Sequence, residues 1–377
     1  MKCAERFSAI ALHKRFSCVL LLLFTVLSAS NLVAEESPFD RYPIHFTTVK
    51  DTAIAYQDMG PKDGEPVLLI MGLGAQMLHW GDTLVQGLLD GGYRVVLLDN
   101  RDAGLSQKFY GLSAPPVWWT LVRTKVGFYP TPAYTLGDMA GDAVGVLDTL
   151  GISRAHVVGA SMGGMISQVL TATYPQRVAS LTSIMSSSGA PDLPESSRDA
   201  ITALAQGAKS GVTRGEELRN RVMIARAIGS PEFFNEEYAR QLATRVLNRG
   251  SYPPGTIRQL QAILASGDRS PILATIDVPT LVIHGDRDPL LPPDHGRDTA
   301  EKIPGAQLVM IAGMGHSLEP EASQRVLNVL LPFWEVGLKG DVGSSDGRPE
   351  KLVEPANTIA NNSDEFETPS APSGAVH

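Results

Sequence analysis

Apolar and polar positions along this chain follow two periods, and the order in which they appear predicts the architecture. Residues 44–58 (IHFTTVKDTAIAYQD) alternate and carry β-branched residues, which predicts a hairpin opening a sheet. VLLIM after Pro66 and RVVLLD at 94–99 are unbroken apolar runs, the pattern of strands buried on both faces. Between them Met77, Trp80, Leu84 and Leu88 recur at helical spacing until Gly91-Gly92 stops the helix. A helix over Asp138–Leu150, a strand over Ala155–Gly159, a helix over Met162–Tyr174 ended by Pro175, and a strand over Val178–Met185 continue the rhythm. It resumes later with PTLVIHGD as a strand, Asp294–Ile303 as a helix, AQLVMIAG as a strand and Leu318–Trp334 as a closing helix. Strands alternating with helices predict an α/β fold: a mostly parallel central sheet with helices on both faces.

Two stretches break the rhythm. Residues 109–134 form a loop region rich in aromatics (Phe109, Tyr110, Trp118, Trp119, Phe128, Tyr129), a candidate apolar wall for a substrate. The same rings could serve core or lid packing. Residues 190–270 lack a buried-strand pattern and read as several amphipathic helices with Pro-Gly breaks such as SYPPG. The expected organisation is a core in two parts, 35–189 and 271–336, with a helical cap over 190–270 inserted between them. From Gly337 to the end, Gly, Ser, Asp, Glu, Pro and Asn dominate, too little apolar area to offset ordering entropy, so 337–377 is expected to be a disordered tail.

Composition narrows the class. Of 377 residues, 43% are apolar and 19% charged, as in a folded globular chain. The net charge of −8 and the lack of a long basic run argue against a nucleic-acid partner. The N-terminus is patterned differently: Lys2, Arg6, Lys14 and Arg15, then a nearly apolar run from Phe16 to Leu27, then Ser28, Ala29, Ser30 and Ala34. Basic, apolar, small is the order of a secretory signal peptide. The expectation is a signal over 1–34, cleaved after Ala34 (Ser30 being the other candidate), and export to the periplasm or the medium. The alternative is an uncleaved membrane tether. Against it, the apolar run is only about 12 residues, where a spanning helix needs roughly 20, so no stable span is expected once the signal is removed. Cys3 and Cys18 both fall in this segment, which leaves a mature chain without disulfides, thiol nucleophiles or cysteine-bound metals. Loss of four basic residues and Glu5 brings the charge near −11.

The chemistry is carried by AHVVGASMGGM at 155–165. Gly159-Ala160-Ser161-Met162-Gly163 is G-x-S-x-G between a predicted strand and a predicted helix. So sharp a turn would force side chains two positions either side of the serine into collision, and it lifts the hydroxyl clear of the sheet. The free N–H groups of the following helix favour a developing oxyanion. Serine needs a base. Of eight histidines, His13 lies in the signal and His377 ends the tail. His45 and His156 read as strand-edge residues, and His79 and His295 lie on helices. His316, in the GMGHSLEP loop directly after the last strand, is the favoured base, with His284 at a strand end second. An acid must orient that base. HGDRDP offers Asp288, which lies further into its loop, and Asp286, expected to bind turn N–H groups. Asp192 is a third candidate. Gly72-Leu73-Gly74 after VLLIM supplies a second oxyanion donor, the Leu73 N–H, beside that of Met162.

These blocks resemble the α/β-hydrolase family over about residues 44–336: IMGLGAQMLHW, LLDNRDAGLS, YTLGDMAGDAVGVLDTLGI, VVGASMGGMISQ, LVIHGDRDPLLPP and GMGHSLEP match in order. Within it the chain is similar to the branch with aclacinomycin methylesterase-like enzymes. The resemblance implies Ser161 as nucleophile, Asp288 as acid, His316 as base, and the N–H groups of Leu73 and Met162 as the oxyanion hole. It implies a serine carboxylic-ester hydrolase. The aromatic stretch and the acidic, exported chain suit a small-molecule, apolar ester, and the sequence offers no metal-ligand cluster, so neither metal nor cofactor is expected. Many members carry His-Gly at the oxyanion loop where this chain has Met71-Gly72. The donor there is a backbone group, so the departure bears on loop rigidity and substrate range.

Three other readings stand beside this one. Gly72-Leu73-Gly74 with Asp99 ending the next strand imitates a dinucleotide fingerprint, but Met77 occupies the third glycine position and the reading leaves Ser161, Asp288 and His316 unexplained. A non-catalytic binding protein on the same fold has no use for a complete Ser, Asp and His set. Acyl transfer or perhydrolysis would use the same residues.

Overall fold

A computed structural model describes residues 36–112, 119, 122, 131–207 and 212–340. The signal expected over 1–34 and the tail from 341 onward lie outside the described residues, as do Trp118, Phe128 and Tyr129 of the aromatic loop. The chain divides after Gly337, and the unit up to that residue carries the fold.

Eight strands form one sheet: β1 (His45–Val49), β2 (Thr52–Met59), β3 (Pro66–Ile70), β4 (Arg94–Leu98), β5 (Ala155–Ala160), β6 (Val178–Ile184), β7 (Thr280–Gly285) and β8 (Gln307–Ile311). Their order is β1-β2-β4-β3-β5-β6-β7-β8. The hairpin β1–β2 is antiparallel and β2 pairs antiparallel with β4. From β4 to β8 every pair is parallel. Unbroken apolar runs make this possible, because a strand covered by helices on both faces needs apolar side chains on both. Leu68 and Ile70 point to one face with Leu98 and Val157. Leu69 and Val67 point to the other with Val95, Leu97 and Val158, and all are fully or almost fully buried. Each such side chain contributes roughly 1.5–3 kcal/mol relative to exposure.

One face is covered by α1 (Gly81–Asp90) and α9 (Pro320–Gly340), the other by α2 (Leu136–Thr149) and α3 (Met162–Thr173). The helix expected from residue 76 is two pieces, a 3₁₀ turn over Met77–Trp80 followed by α1. Gly81, at φ 72°, takes a conformation no helix interior allows, and it sets the break. Helix α2 starts two residues before the expected Asp138 because Thr135 is its N-cap, accepting from the Asp138 N–H while the Asp138 side chain reaches back.

Among the described residues four long helices lie between β6 and β7, namely α4 (Arg198–Gly207), α5 (Arg214–Ile228), α6 (Glu236–Arg249) and α7 (Pro253–Ser266), followed by a single helical turn over Ser270–Leu273. Buried polar side chains pin two of them, α6 and α7, to the loop after β4. Arg258 of α7 grips Asp102 through bonds of 2.8 and 2.9 Å, with both side chains fully buried. Arg249 of α6 reaches Asp99 at 2.8 Å. Helix α8 (Asp294–Lys302) packs against β7 and β8. No helix among the described residues is long and apolar enough to cross a membrane.

Candidate active site

Strands β3 and β5 are neighbours, with Ile70 level with Gly159, while the chain returns to the sheet on opposite sides of β3. Such a reversal leaves a crevice at the carboxyl ends of the strands. Two segments face each other there: Gly72-Leu73 leaving β3 and Ser161 leaving β5. A Cβ built on Gly72 would lie 3.0 Å from Ser161 Cβ.

Ser161 sits at φ 56°, ψ −121°, a strained conformation for a non-glycine residue. Its N–H donates to the Ile184 carbonyl at 2.9 Å, which ties the turn to β6. The flanking glycines are required by contact. A Cβ at Gly163 would lie 1.9 Å from the Ile70 carbonyl oxygen, and one at Gly159 would lie 2.2 Å from that of Gly163.

His316 lies between β8 and α9, and Asp288 between β7 and α8. His316 Nδ1 is 2.7 Å from Asp288 Oδ2, and His316 Nε2 is 2.9 Å from Ser161 Oγ. A carboxylate can only accept, so Nδ1 carries the proton, and Nε2 accepts from the serine hydroxyl. Asp288 Oδ1 accepts from the Leu290 and Leu291 N–H groups at 2.9 and 2.8 Å. Burial opposes ionisation of Asp288. The charge of His316 and the hydrogen bonds of His284 and His316 outweigh it and hold the carboxyl well below the usual carboxylate range. These three side chains thus form one hydrogen-bonded chain ending on a hydroxyl, the arrangement that lets a serine give up its proton as it attacks.

The other candidates are engaged elsewhere. Asp286 accepts from the Gly313 N–H at 2.7 Å, bracing the loop that leads to His316. Asp192 is exposed. His79 Nδ1 bonds the backbone of Gln76, and His295 bonds Ser187 and the Pro194 carbonyl. His156, read as a strand-edge residue, is buried in the central strand β5 between Glu65 and Ser180. Asp99 is taken by Met77 N–H, Leu105 N–H and Arg249, which leaves it no freedom to hold a ribose. Among the described residues no three His, Cys, Asp or Glu side chains converge as metal ligands would.

Around the core of the site lie His284, the second candidate for the base, and two residues, Asn100 and Gln259, that sequence reasoning passed over. His284 is fully buried, donates from Nε2 to the Leu291 carbonyl at 2.8 Å, and stands 3.5 Å from Asp288 Oδ2. Its place at the end of a strand was the only signal available. Asn100 donates to the Met71 carbonyl at 2.7 Å, and Gln259 of α7 accepts from the Gly74 N–H at 2.7 Å, so the Gly72-Leu73 segment is braced on both sides. Among the described residues neither the Leu73 nor the Met162 N–H donates a hydrogen bond. Met162 begins α3, where backbone N–H groups have no partner within the helix. In the aromatic loop Phe109 packs on Tyr134 at 5.5 Å, while Tyr110 is 77% exposed and leans on Tyr252.

Comparison with known proteins follows the same lines. The family model described as the alpha/beta hydrolase fold matches residues 65–321, from the start of β3 into α9. A rhodomycin D methylesterase from Streptomyces peucetius is 27% identical over 296 residues, spanning 73% of this chain and 93% of the relative. A 2-hydroxy-6-oxononadienedioate/2-hydroxy-6-oxononatrienedioate hydrolase from Pseudomonas sp. is 25% identical over 284 residues, 74% of this chain and 91% of that one. The crystal structure of the enol-lactonase from Burkholderia xenovorans LB400 superposes with a TM-score of 0.60 at 23% identity, covering 77% of this chain and all of that one. That likeness speaks to the fold. The family match spans well over half of the chain, and this protein is a member of the α/β-hydrolase fold family.

Proposed function

We propose that the protein is a serine carboxylic-ester hydrolase working through an acyl-enzyme on Ser161. The observation that carries this reading is the unbroken relay Asp288–His316–Ser161, at 2.7 and 2.9 Å, beneath a serine in a strained turn. In this reading Ser161 Oγ attacks the ester carbonyl and His316 Nε2 takes its proton. The carbonyl oxygen, now negative, is received by the Leu73 and Met162 N–H groups. His316 then protonates the departing alkoxide as the acyl-enzyme forms. Water, deprotonated by the same imidazole, attacks the acyl-enzyme, and collapse returns Ser161 and releases the acid. Asp288 holds the imidazole in the tautomer that makes both proton transfers possible.

An apolar ester suits a strongly acidic chain with a stretch over 109–134 rich in aromatic residues. The name of the Streptomyces relative, a methylesterase, makes methyl esters the first natural type of substrate to try. We also propose that residues 1–34 direct export and that the working form begins near Glu35. Sequencing the N-terminus of protein recovered outside the cytoplasm tests this: an intact Met1 would leave the chain tethered or unexported.

The activity is tested with p-nitrophenyl esters of increasing acyl length, wild type beside Ser161→Ala. Hydrolysis that disappears in the variant is the expected result. Equal hydrolysis by both would refute the assignment of Ser161.

A further inference from the structure

Glu319 is an acid with no use in the chemistry above, yet it is 6% exposed and no cation pairs with it among the described residues. Burying a carboxylate without a counter-ion is costly unless donors surround it. Three do. The Ser230 N–H reaches Oε1 at 3.1 Å, the Ser230 hydroxyl reaches Oε2 at 2.9 Å, and the Ser317 hydroxyl reaches Oε1 at 2.5 Å. Ser230 Oγ, itself fully buried, accepts from the Gly315 N–H at 3.0 Å. One residue on, the His316 N–H donates to the Ile228 carbonyl at 2.7 Å. The backbone on either side of the imidazole is therefore tied to residues 228–230, which leave α5 and belong to the helices between β6 and β7. The contact is tight: a Cβ on Gly315 would lie 2.2 Å from the Gly229 carbonyl oxygen.

We infer that Glu319 and Ser230 form a clasp that positions His316, and that it makes the placement of the base depend on the inserted helices. The clasp rests on the reading of His316 as the general base. Glu319 is a positioning residue, since it meets neither Ser161 nor the ester. Its carboxylate orients the Ser230 hydroxyl, the hydroxyl fixes the Gly315 N–H, and Gly315 with the Ile228 bond sets the path of the loop that delivers the imidazole. An imidazole displaced by a fraction of an ångström lengthens its bond to Ser161 Oγ or to Asp288, and small misplacements of this kind cost catalysis heavily.

The experiment uses the mature full chain with Glu319→Ala, Glu319→Gln and Ser230→Ala, alongside Ser161→Ala. Ester hydrolysis is measured per active site, each site being counted by stoichiometric labelling with a fluorophosphonate, and folding is checked by thermal melting. The clasp predicts a kcat per labelled site lower by about 10- to 100-fold in Glu319→Ala and Ser230→Ala, with KM unchanged and labelling slowed in proportion. Glu319→Gln keeps an oxygen acceptor and the shape, and falls between Ala and wild type. A merely structural role would lower the melting temperature and the number of labelled sites but leave kcat per site intact, and that outcome overturns the clasp. Should Glu319→Ala not fold, Ser230→Ala, which removes one hydroxyl, decides alone. A wild type that is neither labelled at Ser161 nor active overturns the catalytic reading itself, and the clasp with it. An active wild type with unaffected variants overturns the clasp alone.

Discussion

Replacing Asp288 by Asn should be worse than deleting its side chain. Asp288 Oδ1 accepts two backbone N–H groups, those of Leu290 and Leu291, at 2.9 and 2.8 Å. An asparagine must put its amide oxygen there, because its NH₂ group cannot accept from two donors. The NH₂ then occupies the Oδ2 position, 2.7 Å from His316 Nδ1. Two N–H donors cannot face each other, so Nδ1 gives up its proton and Nε2 carries it. A protonated, neutral-tautomer Nε2 points its hydrogen at Ser161 Oγ, 2.9 Å away, and cannot take the hydroxyl proton. Locking the wrong tautomer in a serine relay costs about 10,000-fold in kcat, ~5.4 kcal/mol at about 1.36 kcal/mol per tenfold. Asp288→Ala leaves the imidazole free to reach the productive tautomer, so its loss should be smaller. The assay is kcat on a p-nitrophenyl ester, corrected for active sites by fluorophosphonate labelling, with circular dichroism to show that both variants fold. An Asn variant as active as the Ala variant, or within about tenfold of wild type, would refute the tautomer argument.

Three further outcomes follow from the same structure. Arg258→Met removes one half of a fully buried ion pair and leaves Asp102, among the described residues, with the Tyr134 hydroxyl and the Phe109 N–H as donors to its carboxylate; urea unfolding should show a loss of ~3–5 kcal/mol, and Arg258→Met with Asp102→Leu should recover part of it. Gly163→Ala places a methyl group 1.9 Å from the Ile70 carbonyl, which should cost ~1–3 kcal/mol or more and also displace the Gly72-Leu73 segment, read as lower melting temperature and lower kcat together. The Asp288 carboxyl is held below its ordinary value in the folded chain, so the unfolded chain binds the proton first as pH falls. Its contribution to stability is therefore full above about pH 4 and is lost below it. The urea midpoint of wild type should fall more steeply than that of Asp288→Asn below that pH, and parallel curves would contradict the assignment.

The strands and main helices of the core were legible in the sequence because each is decided by local pattern. VLLIM and RVVLLD have no polar face to offer water, so they lie between helices wherever the sheet forms. The elbow was legible too, since its G-x-S-x-G pattern is local and Gly159 is demanded by Gly163 in the same turn, although what demands Gly163 is the Ile70 carbonyl of the neighbouring strand. The break at Gly81 and the early start of α2 at Thr135 were missed for the opposite reason: each hangs on one residue's backbone angle or cap, which periodicity does not register.

What only the tertiary structure decided is how distant loops meet. Ser161, Asp288 and His316 could be nominated from their positions after successive strands, but that one imidazole lies 2.7 Å from one carboxylate and 2.9 Å from one hydroxyl is a product of strand order and register. The role of Asp286 as a brace on Gly313, the approach of His284 to Asp288, and the hold of Ser230 and Glu319 on the His316 loop join residues up to 89 positions apart. No spacing in the chain encodes such pairings. Local periodicity follows from side chains competing with water at each position, whereas a buried polar contact is chosen by the folded core, which leaves each buried donor and acceptor only the partners that packing brings within reach.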